Sequence, residues 1–458
     1  VTAVLLDAAA HPTPLVPVSA ATLPAWLDLA DASVGRWAAA NGFTGSAGTF
    51  CAVPGPDGAL AQVLVGVADP MDVFALAHLP QALPDGEYAL AAGSVPLDPA
   101  RAALGFALAA YQFTRYRPAR RAPARLLLPA GVDGLALRAL AGASALVRDL
   151  VNTPTEQMGP ADLAATASGI ATVHGGKFQE WVGEDLLSAN FPAIHAVGRA
   201  SHRPPRLVQV TWGDPRHPQV AIVGKGVCFD TGGLDIKPPD GMRHMKKDMG
   251  GAAHAIALAE LVMASRLPLR VNLLVPAVEN AISGNAYRPG EVVRTRAGFN
   301  VEIDNTDAEG RVVLCDALTF ASQQRADLIL DFATLTGAAR IALGPDLPAL
   351  FCNRDALAAE ILACGREEQD PLWQLPLWQG YRAMLDSPIA DFANAGPSRH
   401  AGAITAALYL ERFVPNEIPW AHVDVYSWND TDRPGRPKGG EAQGLRAFFR
   451  FLRQRFAA

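Results

Sequence analysis

Residues 218–233 read PQVAIVGKGVCFDTGG. An unbroken apolar run, VAIVG, ends in Gly-Lys-Gly and is followed two residues later by Phe-Asp-Thr-Gly-Gly. A short run with no polar alternation is the pattern of a strand covered on both faces. Working outward, PRLVQVTW (205–212), LRVNLLVPAV (269–278), ADLILDFA (326–333) and WAHVDVY (420–426) read as further strands. GAAHAIALAELVMAS (251–265), VVLCDALTFASQQ (312–324), AGAITAALYLERFV (401–414) and LRAFFRFLRQRF (445–456) read as helices. This alternation predicts an α/β fold with a mostly parallel central sheet flanked by helices. Ligands in such folds bind beyond the carboxyl ends of the strands. VGKG, the Asn305-Thr306-Asp307 loop and DFATLTG all fall there.

Residues 1–145 are expected to form a smaller N-terminal α/β domain. LPAWLDLADASVGRWAAANG (23–42) reads as one helix ending at glycine, AQVLVGVAD (61–69) as a strand and RAALGFALAAYQFTRY (101–116) as a helix. A long helix over 135–154, stopped at Pro154, is expected to link it to the larger domain, 146–458. The first domain has no dense polar cluster, so binding or assembly is expected of it rather than chemistry. RPGRPKGG (433–440) reads as a surface loop.

The chain has 458 residues, 50% hydrophobic and 18% charged, which excludes the disordered class. The net charge of -6 argues against nucleic acid as the main partner. The one basic run, RYRPARRAPAR, reads as a solvated linker. The five cysteines are widely spaced with no CxxC pair, as expected of free thiols in a reducing compartment. No leader-like start and no apolar stretch of membrane-spanning length is visible, so a soluble cytoplasmic protein is expected.

Charge collects between Val223 and Arg311. Asp230, Asp248, Asp307 and Glu309 each have a simple alternative. Asp248 could cap the helix that follows it, and Asp307 and Glu309 could be first-turn acids. Gathered in one pocket, four carboxylates would repel severely unless cations balanced them, and two divalent ions would do so. Oxygen ligands with one nitrogen donor suit zinc, manganese or magnesium. Lys225, at a strand end between two glycines, could be that nitrogen only if neutral. The full phosphate-loop pattern around it is absent. Lys237 is expected to stay charged and face a polarised carbonyl oxygen, or else to be a solvated loop lysine. Arg311 could orient a small anion or water, or pair with a nearby acid. His244, Lys246 and Lys247 add positive charge, and a surface position suits Lys247 equally well.

With NTDAEGR at 305–311, VGKG at 223–226, FDTGG at 229–233, IKP at 236–238 and MKKDMGG at 245–251, the chain resembles the leucyl aminopeptidase family, also called cytosol aminopeptidases. LVNTP (150–154), RPG (288–290) and TLTGA (334–338) extend the likeness, which covers about residues 145–458. The resemblance implies a metal-dependent aminopeptidase that releases leucine and other neutral N-terminal residues from short peptides, using a hydroxide activated by two metal ions. It implies that Asp230 and Glu309 bridge both ions, Lys225 and Asp248 complete the tighter site, and Asp307 serves the other. It gives Lys237 the substrate carbonyl and Arg311 a bicarbonate acting as base. Met245 would line the pocket for the first side chain, and Thr334, Leu335 and Gly337 would hold the peptide. The metals would be Zn2+, Mn2+ or Mg2+, and the assembly a homohexamer, a dimer of trimers. Alternatives are a specialised dipeptidase, such as a Cys-Gly type, or a DNA-binding assembly protein with secondary peptidase activity. Lys247 and Arg288 depart from residues common in the family, which bears on specificity.

Overall fold

The strand that opens the reading, Gln219–Gly224, lies at the centre of a sheet in a computed structural model that describes residues 2–119 and 121–457. Arg120, within the basic run, lies outside the described residues. The chain divides into two compact units. The first runs to Ala145 and takes in Thr431–Lys438; the second holds Leu146–Asp430 and the chain from Gly439 onward.

In the second unit, nine strands among the described residues share one sheet. Gln219–Gly224 runs parallel to Leu328–Ala333 on one side and to Arg270–Asn280 on the other. Leu328–Ala333 in turn pairs in parallel with Trp420–Asp424. The sheet is mostly parallel, as its sequence pattern requires. Its flanks turn antiparallel, where Arg206–Trp212 meets Arg270–Asn280 and Ala349–Cys352 meets Trp420–Asp424. All six residues of Leu328–Ala333 are buried, because helices cover both faces.

One face packs on the helix Gly250–Ala264, which also contacts the helices Pro160–His174 and Leu445–Phe456. Only Glu260 escapes full burial between Gly250 and Met263, so this helix has no polar side. The other face carries Glu309–Gln323, packed with Pro192–Gly198 and Gly402–Glu411. Two glycines let the first helix approach the strand backbones. A Cβ on Gly251 would stand 2.1 Å from the carbonyl oxygen of Phe332, and one on Gly224 2.6 Å from Cα of Ala252.

Among the described residues the first unit holds a six-stranded sheet, parallel except where Phe50–Pro54 meets Leu60–Gly66. Three expectations change here. The helix over 101–116 is Pro99–Ala109 and stops well short of Tyr116. The single helix over 23–42 is two, Leu23–Leu27 and Ala32–Ala40. The break falls where Asp31 accepts the amide of Ser33 and starts a new helix, a local cap that apolar spacing does not register. The 433–440 segment is only in part a surface loop: Gly435 is buried in the first unit, and the Arg436 guanidinium lies 5.1 Å from the Phe74 ring centroid.

Asp316, fully buried on the helix Glu309–Gln323, accepts the amides of Ala193 (2.8 Å), Ile194 (3.3 Å) and Arg296 (2.7 Å). It thereby ties the start of Pro192–Gly198 and a loop to the covering helix. Asp316→Ala leaves these three donors without that acceptor and is expected to cost roughly 2–4 kcal/mol by denaturant unfolding. A change within about 0.5 kcal/mol would contradict this role.

Candidate metal centre and cleft

The central strand ends at Gly224, and Lys225 follows. The amide of Lys225 donates to Phe332 O at 2.9 Å, and its carbonyl accepts the amide of Ala252 at 2.8 Å. Its backbone is therefore fixed by the neighbouring strand and by the helix behind it. The chain then continues as Gly226–Asp230, pairing further along the same strand, Arg270–Asn280. The register shifts between Val227 and Asp230, which carries the Asp230 carboxylate to the sheet edge.

Around Lys225 Nζ stand Asp248 Oδ2 at 2.7 Å, Glu309 Oε1 at 2.9 Å and the carbonyl of Thr334, which accepts its hydrogen bond at 2.8 Å. Asp248 is not a helix cap. It lies in the short helix Met245–Met249, and its other oxygen is 2.9 Å from the Thr334 hydroxyl. Glu309 opens the long helix Glu309–Gln323, while the capping oxygen on the preceding turn belongs to Asn305. Asp230 accepts the amide of Gly232 (2.9 Å) and the amide side chain of Asn280 (2.8 Å) through Oδ1, and its Oδ2 lies 2.7 Å from Lys237 Nζ. Lys237 also pairs with Asp307. Gly232 (φ +88°) and Gly233 (φ +67°) make the turn that brings Lys237 back over these acids.

Oxygens of Asp230, Asp307 and Glu309 lie within 4.8 Å of one another. Glu309 Oε2 is buried and, among the described residues, has no hydrogen-bond partner. Its other oxygen, Oε1, forms no hydrogen bond of good geometry either, although the Lys225 ammonium is close enough to count as an ion pair. Four carboxylates thus face two ammonium groups in a largely buried pocket. Burial, and then the charge of Asp230, raises Asp307 to about 6 and Glu309 well above the carboxylate range. Burial alone would lower both lysines, but Asp248 and Glu309 beside Lys225, and Asp230 and Glu309 near Lys237, outweigh it and raise both. Converging carboxylate oxygens short of positive charge, one without a partner, fit a divalent cation.

These residues line a cleft of ≈ 720 Å³ together with Arg311, Met245, Thr334, Leu335 and Gly337. All eleven residues for which the sequence suggested a metal, catalytic or peptide-binding role reach this one cavity, while Lys246 is not among its lining residues. The catalytic domain of the cytosol aminopeptidase family matches residues 145–449, and the N-terminal domain of M17 aminopeptidases matches residues 13–129. The chain belongs to the cytosol aminopeptidase family. A probable cytosol aminopeptidase of Syntrophotalea carbinolica is 40% identical over 368 residues, spanning 76% of this chain and 74% of that protein. The crystal structure of a cytosol aminopeptidase from Coxiella burnetii is 49% identical with a TM-score of 0.96, covering 99% of this chain and 100% of that one. The bottromycin maturation enzyme BotP in complex with Mn is 34% identical with a TM-score of 0.87, over 97% and 99%. As a family member carrying this acidic cluster, the chain is a metal-dependent aminopeptidase acting on the N-terminal residues of peptides.

This aminopeptidase supports its cleft with residues the sequence reading did not single out. Asn280 donates to Asp230 Oδ1 and to Thr306 O, and Tyr287 donates to the same carbonyl at 2.7 Å. Asn394 donates to Asn305 O and accepts Arg311 Nη1 at 2.6 Å. Asp424 accepts the amides of Leu335 and Thr336, so the Leu335 N–H already has a partner. These residues sit far from the motifs they brace, and no local spacing marks them. Lys247 is buried at 6% exposure, against the surface position that suited it from sequence.

Gly310 is a further constraint. A Cβ there would stand 2.6 Å from Lys225 Cε and 2.7 Å from Nζ. Gly310→Ala is expected to leave thermal stability near wild type while displacing the Lys225 side chain. Its kcat/KM for Leu-p-nitroanilide should fall at least about tenfold. Activity within about twofold of wild type would show that the Lys225 position is not needed.

Proposed function

We propose that this enzyme releases N-terminal residues from short peptides, leucine and other neutral residues among them, with two divalent ions per chain. The convergence of Asp230, Asp248, Asp307, Glu309 and Lys225 in one cleft carries this reading. Asp230 and Glu309 would serve both ions, with Asp248 and Lys225 completing one site and Asp307 the other. Ions held there would supply Lewis acidity and lower the pKa of bound water toward neutrality. Zinc and manganese suit the oxygen-rich donor set, and the manganese complex of BotP favours manganese among the candidates.

Lys237 would donate to the scissile carbonyl oxygen and steady negative charge as it develops there. Its present partners, Asp230 and Asp307, are the acids a metal would claim, which leaves the ammonium free for the substrate. Arg311 would hold bicarbonate, the base that moves the proton toward the leaving amine. One of its terminal nitrogens is fixed by Asn394 O, while its buried Nε has no partner among the described residues. Met245 would line the pocket for the first side chain, and Thr334, Leu335 and Gly337 would flank the peptide.

Residues 1–145 would form the N-terminal domain and 146–458 the catalytic domain. A homohexamer built as a dimer of trimers is proposed from the family likeness. Trp373, Trp378 and Ile389, each about 60% exposed, support a contact between copies along this stretch. The shared description of the relatives, cytosol aminopeptidase, supports a cytoplasmic location.

Metal-stripped protein should regain hydrolysis of Leu-p-nitroanilide when Mn2+ or Zn2+ is returned. Lys237→Ala and Glu309→Ala should each lower the restored kcat/KM by about a hundredfold or more. Two bound ions with no activity on any aminoacyl amide would contradict a general aminopeptidase and point to a dedicated dipeptidase.

A further inference from the structure

Lys247 sits two residues beyond Met245 and next to Asp248, with its side chain lining the cleft. The residue is 6% exposed, and among the described residues no carboxylate stands within ion-pair distance of its ammonium, which opens onto the cleft. Its polar neighbour is the ring of Tyr426, whose centroid lies 5.0 Å from Nζ. A second cation, the Arg340 guanidinium, lies 4.6 Å from the same centroid and also lines the cleft. The nearby acids are engaged elsewhere. Asp248 faces Lys225 at 2.7 Å, Asp424 takes the amides of Leu335 and Thr336 and the Thr336 hydroxyl, and Asp430 accepts the Tyr426 hydroxyl at 3.1 Å. Asp248 and Asp424 act on the Lys247 ammonium only from a distance, so a counter-charge in direct contact with it has to come from what the cleft binds.

We propose that Lys247, with Arg340 against the same Tyr426 ring, is a specificity subsite that takes a carboxylate of the peptide substrate, namely the acidic side chain of its N-terminal residue. The inference rests on the aminopeptidase reading and adds aspartate and glutamate to the residues the enzyme releases. With Lys237 facing the scissile carbonyl from beside Asp230 and Asp307, the substrate amine falls toward Asp248 and Lys225; Lys247 adjoins Asp248, so the side chain on the same α-carbon is the group nearest to it. A neutral side chain bound there leaves the ammonium unpaired, whereas a carboxylate completes it. The C-terminal carboxylate of a very short peptide carries the same chemistry, and the test separates the two.

Metal-loaded enzyme is assayed with Glu-p-nitroanilide and Gln-p-nitroanilide, isosteric substrates that lack a C-terminal carboxylate, and with Leu-p-nitroanilide. The Glu-to-Gln ratio of kcat/KM is expected to be at least about ten in wild type, to fall close to one in Lys247→Met, and to recover in Lys247→Arg. A purely structural role would lower both substrates together and leave the ratio unchanged, which would overturn the proposal. So would a wild-type ratio near one, a result that needs no variant to fold. In a second arm, Leu-Gly-Gly is compared with its C-terminal amide. A Lys247→Met effect confined to the free acid would overturn the side-chain assignment in favour of the C-terminal carboxylate. Hydrolysis of Leu-p-nitroanilide without a Glu preference sinks only this inference, while no hydrolysis of any of the three removes the underlying aminopeptidase reading as well.

Discussion

Lys225 donates to the carbonyl of Thr334 and lies against the carboxylates of Asp248 and Glu309. Those three partners come from the ends of separate elements: a central strand, a short helix and the first turn of a long helix. The surroundings of the cleft hold these ends together. Gly251 and Gly224 let a helix and a strand touch at the backbone, and Gly310 leaves room for the lysine side chain. At Gly251 and Gly224 a methyl group would collide with backbone that cannot easily move, whereas at Gly310 it would push the Lys225 side chain aside. The geometry of the charged site is thus set by apolar packing behind it, through residues with no charge of their own.

That packing offsets an arrangement which is unfavourable by itself. Buried ions each lose several kcal/mol of hydration, and their mutual attraction returns this only when every charge is matched. Here it is not matched: two lysines face four acids, Glu309 is pushed well up and Asp307 to about 6. A divalent cation reverses both tendencies, because it favours ionised carboxylates and disfavours protonated lysine. The same reasoning extends to Lys247, a cation of the cleft with no carboxylate in direct contact among the described residues. The cluster that would hold metal has an excess of negative charge, and Lys247 and Arg340 place two cations in the wall beside it.

Much of this was legible in the sequence, for a physical reason. Strands covered on both faces must be apolar throughout, so VAIVG and LILDFA announce themselves. Glycines next to acids mark places where the backbone turns tightly or packs closely, and TGG at 231–233 does turn Lys237 back over the acids. What stayed hidden depends on distance along the chain. Asn280, Asn394 and Asp424 brace residues tens of positions away, and as single polar residues they resemble many others. The burial of Lys247 was invisible because a lysine between another lysine and an aspartate reads as surface. The split at Asp31 and the burial of Gly435 in the first unit are set by one cap and one aromatic contact, which periodicity does not register.

The central claim is that the acids around Lys225 and Lys237 form a cradle for two ions. The most direct check is to titrate the metal-free protein with Mn2+ by calorimetry and count the bound ions by elemental analysis. The account predicts two ions per chain in the wild type and fewer in Asp230→Ala, whose carboxylate is assigned to both. A folded wild-type chain that binds no Mn2+ at millimolar concentration, or an Asp230→Ala variant that still binds two as tightly, would contradict it.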